Sequence, residues 1–271
     1  MSGSYYPRPD QAVLRMTGRD RVRFLHGMCT HDIKKLSPGE SCRAAIVTRQ
    51  GKMVADLAVI SLEESILAIL DRSNLQPTID HLAKFIVADD VTLAADDRGV
   101  VALYGTAPPP GMPWAAEPAL GGCLVVAPSS GPDPFGALRR LGEREFETLR
   151  IEAGFPRWGV DMGPDYLPME AGLEPIAISY SKGCYIGQEV IQRVKTYSEP
   201  PRMLVQLEIA GARPGDPIAS GGEVMGQITS ATEGVALGYV RREYKAAGTE
   251  VEVAGRAARV RALPWQGRLR A

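Results

Sequence analysis

The chain contains 271 residues, 45% of them hydrophobic, and this length can bury a substantial core divided between two or three modules. Its 31 basic and 32 acidic residues nearly cancel, which argues against a protein that binds nucleic acid or an anionic membrane through a broad positive field. The 29 glycines and 21 prolines make up a smaller share than in disordered low-complexity chains, so we expect a globular protein.

The first half of the chain alternates short helices and strands. The apolar pattern predicts a helix over residues 19–26 that ends at Gly27, a residue type common at helix C-termini. Ser73 is expected to cap a second helix that reaches about residue 86. Strands are predicted at residues 42–47, 53–60, 65–70, 91–94 and 100–104. This order is typical of an α+β sheet with helices on one face.

The second half changes character twice. Residues 108–134 are rich in proline and glycine and are expected to be mostly loop around one strand at 123–127. Two helices are predicted next, over residues 135–141 and 143–153, the second ending at Gly154. Short apolar runs separated by turns then predict a small antiparallel barrel, with strands at 203–209, 224–229, 235–240, 249–253 and 258–263.

The sequence shows no sign of export, membrane insertion or cysteine cross-linking. Residues 1–10 lack an apolar stretch of signal-peptide length, and no later segment approaches the roughly 20 apolar residues that cross a bilayer. The four cysteines include no C-x-x-C pair, which argues against a disulfide scaffold, a structural zinc site or a four-cysteine cluster. We therefore expect a cytoplasmic protein. Separately, we expect a monomer.

The segment Lys182-Gly183-Cys184-Tyr185-Ile186-Gly187-Gln188-Glu189 places a thiol on a glycine-rich turn that leads into a helix. Gly187 is expected to precede a helix over residues 188–194, so Cys184 lies just before a helix N-terminus. The helix dipole and the Lys182 ammonium would both favour a thiolate there. The alternative is a small, buried, structural Cys184.

This K-G-C-Y-x-G-Q-E segment resembles the motif of the YgfZ family, folate-binding proteins that assist iron–sulfur enzymes and are related to the T-protein (aminomethyltransferase) of glycine cleavage. Three further stretches resemble the same superfamily, at residues 17–32, 150–161 and 222–240. The resemblance covers nearly the whole chain. It implies tetrahydrofolate as the cofactor and iron–sulfur client or assembly proteins as partners.

The resemblance also implies a three-lobed α+β fold of the T-protein type. The first lobe would be discontinuous, formed by residues 1–41 and 135–200, with residues 42–134 inserted as a second lobe. Residues 201–271 would form the C-terminal antiparallel β-barrel.

Two carboxylates are candidate folate ligands. The resemblance makes Glu152 the pterin ligand, because the two oxygens of a carboxylate match adjacent N–H and NH₂ donors; the alternative is a solvated glutamate paired with Arg150 or Arg157. Asp56 lies in a predicted strand where T-protein carries two adjacent acids, and here Ala55 replaces the first.

The change at Ala55 puts aminomethyl transfer in doubt but leaves Asp56 free to contact folate, or simply to face solvent from the strand. Tyr185 of the thiol motif is a third candidate folate-binding residue.

Other kinds of site have little support. His26, Cys29 and His31 form an H-x-x-C-x-H cluster, but its spacing is unfamiliar for zinc and a fourth ligand is missing, so we expect no metal there. No glycine-rich phosphate-binding motif is present. The favoured function is a folate-dependent accessory factor for iron–sulfur enzymes with Cys184 and Lys182 as reactive residues. A one-carbon transferase and a folate-binding scaffold with a structural cysteine remain open, as does whether the protein is an enzyme.

Overall fold

The structure is a computed structural model that describes residues 3–131 and 133–269. The chain forms two compact units. The first comprises Met1–Glu117, Gly121–Leu141 and Ile176–Gln192, and the second comprises Pro118–Leu120, Gly142–Pro175 and Arg193–Ala271. Among the described residues, no helix has the length and apolar character needed to span a membrane.

The first unit contains two five-stranded sheets, with the strand orders β10-β1-β7-β9-β8 and β3-β4-β5-β2-β6. These strands are β1 (Ser4–Pro7), β2 (Gln11–Thr17), β3 (Ser41–Val47), β4 (Met53–Ser61), β5 (Ile66–Asp71), β6 (Thr92–Asp96), β7 (Gly99–Tyr104), β8 (Trp114–Glu117), β9 (Gly122–Ala127) and β10 (Arg139–Arg140). Two helices, α1 (Arg21–Met28) and α2 (Leu75–Ala83), pack on the second sheet through a shared apolar core that includes Leu14, Leu25, Leu57 and Leu82.

The segment after α1 is tied to β3 and thereby fixes the end of the helix. Cys29 forms a bridge with Ile46, and the Thr30 amide donates to the carbonyl of Ala45 at 2.9 Å. Cys29 is consequently extended, with φ −121° and ψ 164°, so α1 ends at Met28. The predicted stop at Gly27 is wrong, because strand pairing at Cys29, two residues later, determines where the helix ends.

The second unit contains a closed antiparallel barrel of six strands in the order β11-β14-β13-β12-β15-β16. These strands are β11 (Arg202–Glu208), β12 (Pro217–Ser220), β13 (Glu223–Ala231), β14 (Val235–Arg241), β15 (Glu250–Val253) and β16 (Arg256–Arg261). The remaining helices are α3 (Glu143–Ala153), α4 (Glu174–Ala177), α5 (Gln188–Tyr197), which continues from the first unit, and α6 (Pro264–Arg268). The predicted barrel is confirmed, although the short strand β12 was not predicted.

A buried ion-pair network holds α3 against the barrel. Arg150 is only 2% exposed and binds Asp161 at 2.7 Å and the Ser230 hydroxyl at 2.8 Å. Its guanidinium also binds Glu147 at 2.6 Å, so every charge in the network has an opposite partner. This network fixes the orientation of the helix that carries Glu152.

A second group of buried charges lies in the first unit and contains one more acid than base. Arg8 pairs with Asp10 at 3.0 Å, and Arg43 pairs with Asp56. Glu117 is 3% exposed, and its Oε2 atom has no hydrogen-bond partner among the described residues. Burial raises the pKa of Glu117. The positive charges of Arg8 and Arg43 oppose this increase, and the negative charge of Asp56 adds to it.

The raised pKa of Glu117 predicts a specific dependence of stability on pH. The folded protein keeps this proton to a higher pH than the unfolded chain, so stability falls as pH rises above the ordinary glutamate pKa of about 4.3. Glu117→Gln should remove that loss and stabilise the protein at neutral pH, by about 1.4 kcal/mol for each pH unit of the shift. Urea unfolding of both proteins at pH 5 and pH 8 measures the difference. An equal loss of stability between these two pH values in wild type and variant would contradict the prediction.

Candidate functional site

The thiol motif forms a surface loop that ends in α5. Cys184 is exposed, whereas Cys29 and Cys123 are buried and Cys42 is half-buried. The predicted helix is confirmed, since α5 begins at Gln188 directly after Gly187. The alternative of a buried thiol at Cys184 is therefore wrong, whereas its reactive or structural role stays a prediction.

Gly187 allows the loop to approach the turn after β3. Its φ of +81° lies in the left-handed region that favours glycine. A Cβ atom at this position would lie 2.3 Å from the carbonyl oxygen of Thr48 and 2.8 Å from a methyl group of Val47. No other residue type fits without moving the backbone, so Gly187 fixes where the loop ends.

Lys182 anchors the other end of the loop. Its side chain is buried, and Nζ donates hydrogen bonds to the backbone carbonyls of His26 and, at 2.6 Å, of Cys29. The same atom lies 4.6 Å from the centroid of the Tyr185 ring. An ammonium group in this position satisfies carbonyls at the C-terminus of α1, where positive charge is favourable.

The position of Lys182 differs from what its place in the sequence suggests. We expected its ammonium to lie beside the thiol, but the described structure shows no hydrogen bond or ion pair between Lys182 and Cys184. Burial lowers the pKa of Lys182. Its direct role is thus to hold the loop on α1, and an electrostatic effect on Cys184 stays a prediction.

Removing the Lys182 ammonium should destabilise the fold. Lys182→Met leaves two buried carbonyls without their donor, at a cost of about 1–3 kcal/mol for each unsatisfied group. We expect a loss of roughly 2–4 kcal/mol in the free energy of unfolding, measured by urea denaturation. Lys34→Met is the matched control, because Lys34 is exposed and should change stability by less than about 0.5 kcal/mol. Equal stability of the two variants would show that the Lys182 contacts contribute little.

Tyr185 faces inward from the loop. It is 8% exposed, and its hydroxyl has no hydrogen-bond partner among the described residues. Burial raises the pKa of Tyr185 to about 12, so the group remains a neutral donor. Its predicted contact with folate stays a prediction.

Asp56 is buried and already paired. It lies on β4, opposite Ala45 of β3, and its two oxygens both accept from Arg43, with Nε 2.9 Å from Oδ1. The side chain of Asp56 is only 6% exposed. The outward-facing alternative is therefore wrong, and contact with folate would require Arg43 to release at least one oxygen.

Glu152 presents its side chain on the surface of α3. The two arginines proposed as alternative partners bind elsewhere, since Arg150 and Arg157 both contact Glu147. Glu152 lines an open cleft of about 540 Å³ in the second unit, with Leu120, Arg144, Glu145, Thr148, Leu149, Ala153 and Arg268. The cleft therefore combines two carboxylates and two arginines with apolar side chains.

Residues of the H-x-x-C-x-H cluster have contacts with other protein groups. Cys29 is fully buried, its thiol donates to the His31 carbonyl at 3.5 Å, and burial raises its pKa to about 11. Among the described residues, no group of three or more histidine, cysteine or acidic side chains is arranged to hold a metal ion. His26 instead lies beside Asp32, with 3.3 Å between Nδ1 and Oδ1.

Known proteins resemble this chain over most of its length. The glycine cleavage T-protein C-terminal barrel domain family matches residues 202–267. An aminomethyltransferase from Streptomyces coelicolor is 27% identical over 88% of this chain and 78% of its own length, and the tRNA-modifying protein YgfZ from Sodalis glossinidius is 27% identical over 76% and 71%. A putative chloroplastic transferase of Arabidopsis thaliana is 25% identical over 89% of this chain.

The chain is YgfZ-like and T-protein-like. The crystal structure of the glycine cleavage system aminomethyltransferase T from Bartonella henselae superimposes with a TM-score of 0.86, covering 97% of this chain and 86% of that one at 21% identity. This match confirms the predicted α+β fold with a C-terminal barrel. The chain spans 66 to 78% of the length of the three relatives named above.

The predicted site residues of this YgfZ- and T-protein-like chain belong to two units. Lys182, Cys184 and Tyr185 share one loop of the first unit, which also contains Asp56, whereas Glu152 belongs to the second unit. The proposed lobe boundaries stay a prediction. Sequence analysis missed Arg144 and Arg268 as neighbours of Glu152, because only the packing of α3 and α6 places them at one cleft.

Proposed function

We propose that the chain binds a reduced folate and supports the assembly or repair of iron–sulfur enzymes, with Cys184 as the reacting thiol. The observation that carries this proposal is the exposed Cys184 on a loop fixed at one end by Lys182 and at the other by Gly187. A fixed, exposed thiol can meet a large partner such as a protein client.

The other cysteines are poor candidates for this chemistry. Burial raises the pKa of Cys29 and Cys123 to about 11 and that of Cys42 to about 12. Their thiolates are therefore scarce at neutral pH, and the thiolate is the reactive form. Thiol chemistry of the native protein near pH 7 should occur at Cys184.

The cleft at Glu152 suits a folate. Its volume of about 540 Å³ is within the usual range for small-molecule sites, roughly 300–1,000 Å³. The Glu152 carboxylate can accept two hydrogen bonds from the pterin ring, a role that the resemblance to T-protein supports. Arg144 and Arg268 supply positive charge for the carboxylates of the folate glutamate tail.

The main alternative is transfer of a one-carbon group, and the pairing of Asp56 argues against it. Ala55 supplies no carboxylate, and Arg43 occupies both oxygens of Asp56. We therefore expect no formation of methylenetetrahydrofolate from an aminomethylated lipoyl carrier protein and tetrahydrofolate, while a known aminomethyltransferase does form it under the same conditions. Ala55→Asp alone should not restore the reaction. Sustained turnover by the unmodified protein would favour the transferase.

The accessory function is tested in cells that lack this protein. Their iron–sulfur enzymes should lose activity while the amounts of those enzyme proteins remain similar, and expression of the chain should restore activity. Unchanged iron–sulfur enzyme activity in the deletion strain would contradict the proposed function. A folate-binding scaffold with a structural cysteine would instead predict full restoration by a variant that lacks the Cys184 thiol.

A further inference from the structure

The loop that carries Cys184 lies across the last turn of α1, next to His26. The ammonium of Lys182 binds the carbonyl of His26, and the amide of Ile186 donates to the carbonyl of Gly27 at 3.2 Å. A Cβ atom at Gly183 would lie 3.8 Å from Nε2 of His26. Residues on both sides of Cys184 therefore contact His26 or Gly27. Consecutive Cα atoms are about 3.8 Å apart, so Cys184 lies one residue from the position that approaches the imidazole, although the described residues show no hydrogen bond between its thiol and His26.

His26 lies beside a carboxylate. The residue is 8% exposed, and its Nδ1 atom lies 3.3 Å from Oδ1 of Asp32, with imperfect hydrogen-bond geometry and no other partner for either atom among the described residues. Oδ2 of Asp32 lies 3.4 Å from the ammonium of Lys35. With its Nδ1 proton facing Asp32, the neutral ring carries a lone pair on Nε2, the atom that faces Gly183.

The surrounding groups keep the His26 imidazole in its neutral form. Burial and the positive charge of Lys182 lower its pKa, Asp32 opposes them, and Lys34 adds a smaller lowering effect. The imidazole is therefore mostly neutral near pH 7. When it takes up a proton, the new charge faces the carboxylate of Asp32.

We propose that His26 is the base that removes the thiol proton of Cys184, and that Asp32 holds the imidazole in position for this step. The S–H bond breaks, its electron pair stays on sulfur, and the proton moves to Nε2 of His26. The product is a thiolate beside an imidazolium that pairs with Asp32, the arrangement by which cysteine nucleophiles are commonly activated. This inference rests on the proposed role of Cys184 as the reacting thiol.

The proposal is tested by the rate at which iodoacetamide alkylates Cys184 in the native protein between pH 5.5 and pH 10, followed by mass spectrometry of the Cys184 peptide. The other three thiols react slowly over most of this range because of their raised pKa values. His26→Gln should slow alkylation at pH 7 about tenfold, and the rates of variant and wild type should converge near pH 10.

Asp32→Asn should give a smaller decrease, about threefold at pH 7, because the base remains and only its orientation is weakened. His81→Gln is the matched control. His81 is a half-buried histidine on α2, and burial lowers its pKa as it does for His26. Loss of His81 should leave the alkylation profile of Cys184 unchanged. Asp32→Asn also keeps the test valid if His26→Gln fails to fold, because it retains the size of the side chain that it replaces.

Equal alkylation rates at pH 7 in wild type, His26→Gln and Asp32→Asn would overturn the proposal. A slowing by the same factor at every pH would also overturn it, because a merely structural histidine changes access to the thiol and not its ionisation. These outcomes test only the role of His26 as the base for Cys184. Failure of the proposed function is seen separately, as full restoration of iron–sulfur enzyme activity by a protein that lacks the Cys184 thiol.

Discussion

Cys184→Ser is expected to abolish the restoration of iron–sulfur enzyme activity in cells that lack this protein. A hydroxyl is far less nucleophilic than a thiolate and cannot form a disulfide or a stable bond to an iron–sulfur cluster. Because Cys184 is exposed, the substitution should change the free energy of unfolding by less than about 0.5 kcal/mol. The loss would then be chemical and not a loss of folded protein.

The measurement compares iron–sulfur enzyme activity in deletion strains that express wild type or variant at equal protein levels. Ser181→Ala is the matched control, an exposed residue of the same loop, and should restore activity fully. Purified Cys184→Ser should still bind reduced folate. Full restoration by Cys184→Ser would make the thiol motif architectural and would favour the scaffold.

Glu152→Gln is expected to weaken binding of reduced folate by roughly 10- to 150-fold. Losing a hydrogen bond to a charged group costs about 1.5–3 kcal/mol, which corresponds to that change in the dissociation constant. The amide also places a donor where the pterin ring presents donors of its own. Isothermal titration calorimetry of wild type and variant measures the ratio directly.

Glu143→Gln is the control for Glu152. Glu143 is an exposed glutamate on the same helix, but it does not line the cleft, so its loss should leave affinity within about twofold. If Glu152→Gln bound folate as tightly as wild type, the role inferred from T-protein would not apply to this chain.

Features determined by local sequence were predicted well. Gly187 followed by residues 188–194 predicted the start of α5, and Gly154 ends α3 in the left-handed conformation expected of a helix terminus, with φ +78°. The alternating short strands of the C-terminal region likewise predicted a barrel. In these cases neighbouring residues carry the information.

Features that depend on distant partners were predicted less well. Residues 135–141 were expected to form a helix, but Leu141 donates its amide to the carbonyl of Tyr5 at 2.8 Å, and Arg139 and Arg140 pair with β1 instead. Strands β1 and β2 were not predicted at all. Backbone groups committed to a remote strand cannot close helical hydrogen bonds, and no local pattern reveals that commitment.

In the candidate site, too, features set by local sequence were predicted better than contacts with distant residues. The motif correctly indicated a thiol just before a helix, but the long side chain of Lys182 reaches carbonyls of α1 that are distant in sequence. Arg43 binds Asp56 across two paired strands, a contact that follows only from their register. Residue types can be predicted from the motif, whereas their partners depend on the tertiary fold.

The central claim, that this YgfZ- and T-protein-like chain is a folate-dependent protein, is tested most directly by calorimetric titration of the unmodified protein with 5-formyltetrahydrofolate, a stable reduced folate. The account predicts saturable binding at one site per chain. Heats that match simple dilution, with no saturation up to about millimolar ligand, would contradict it.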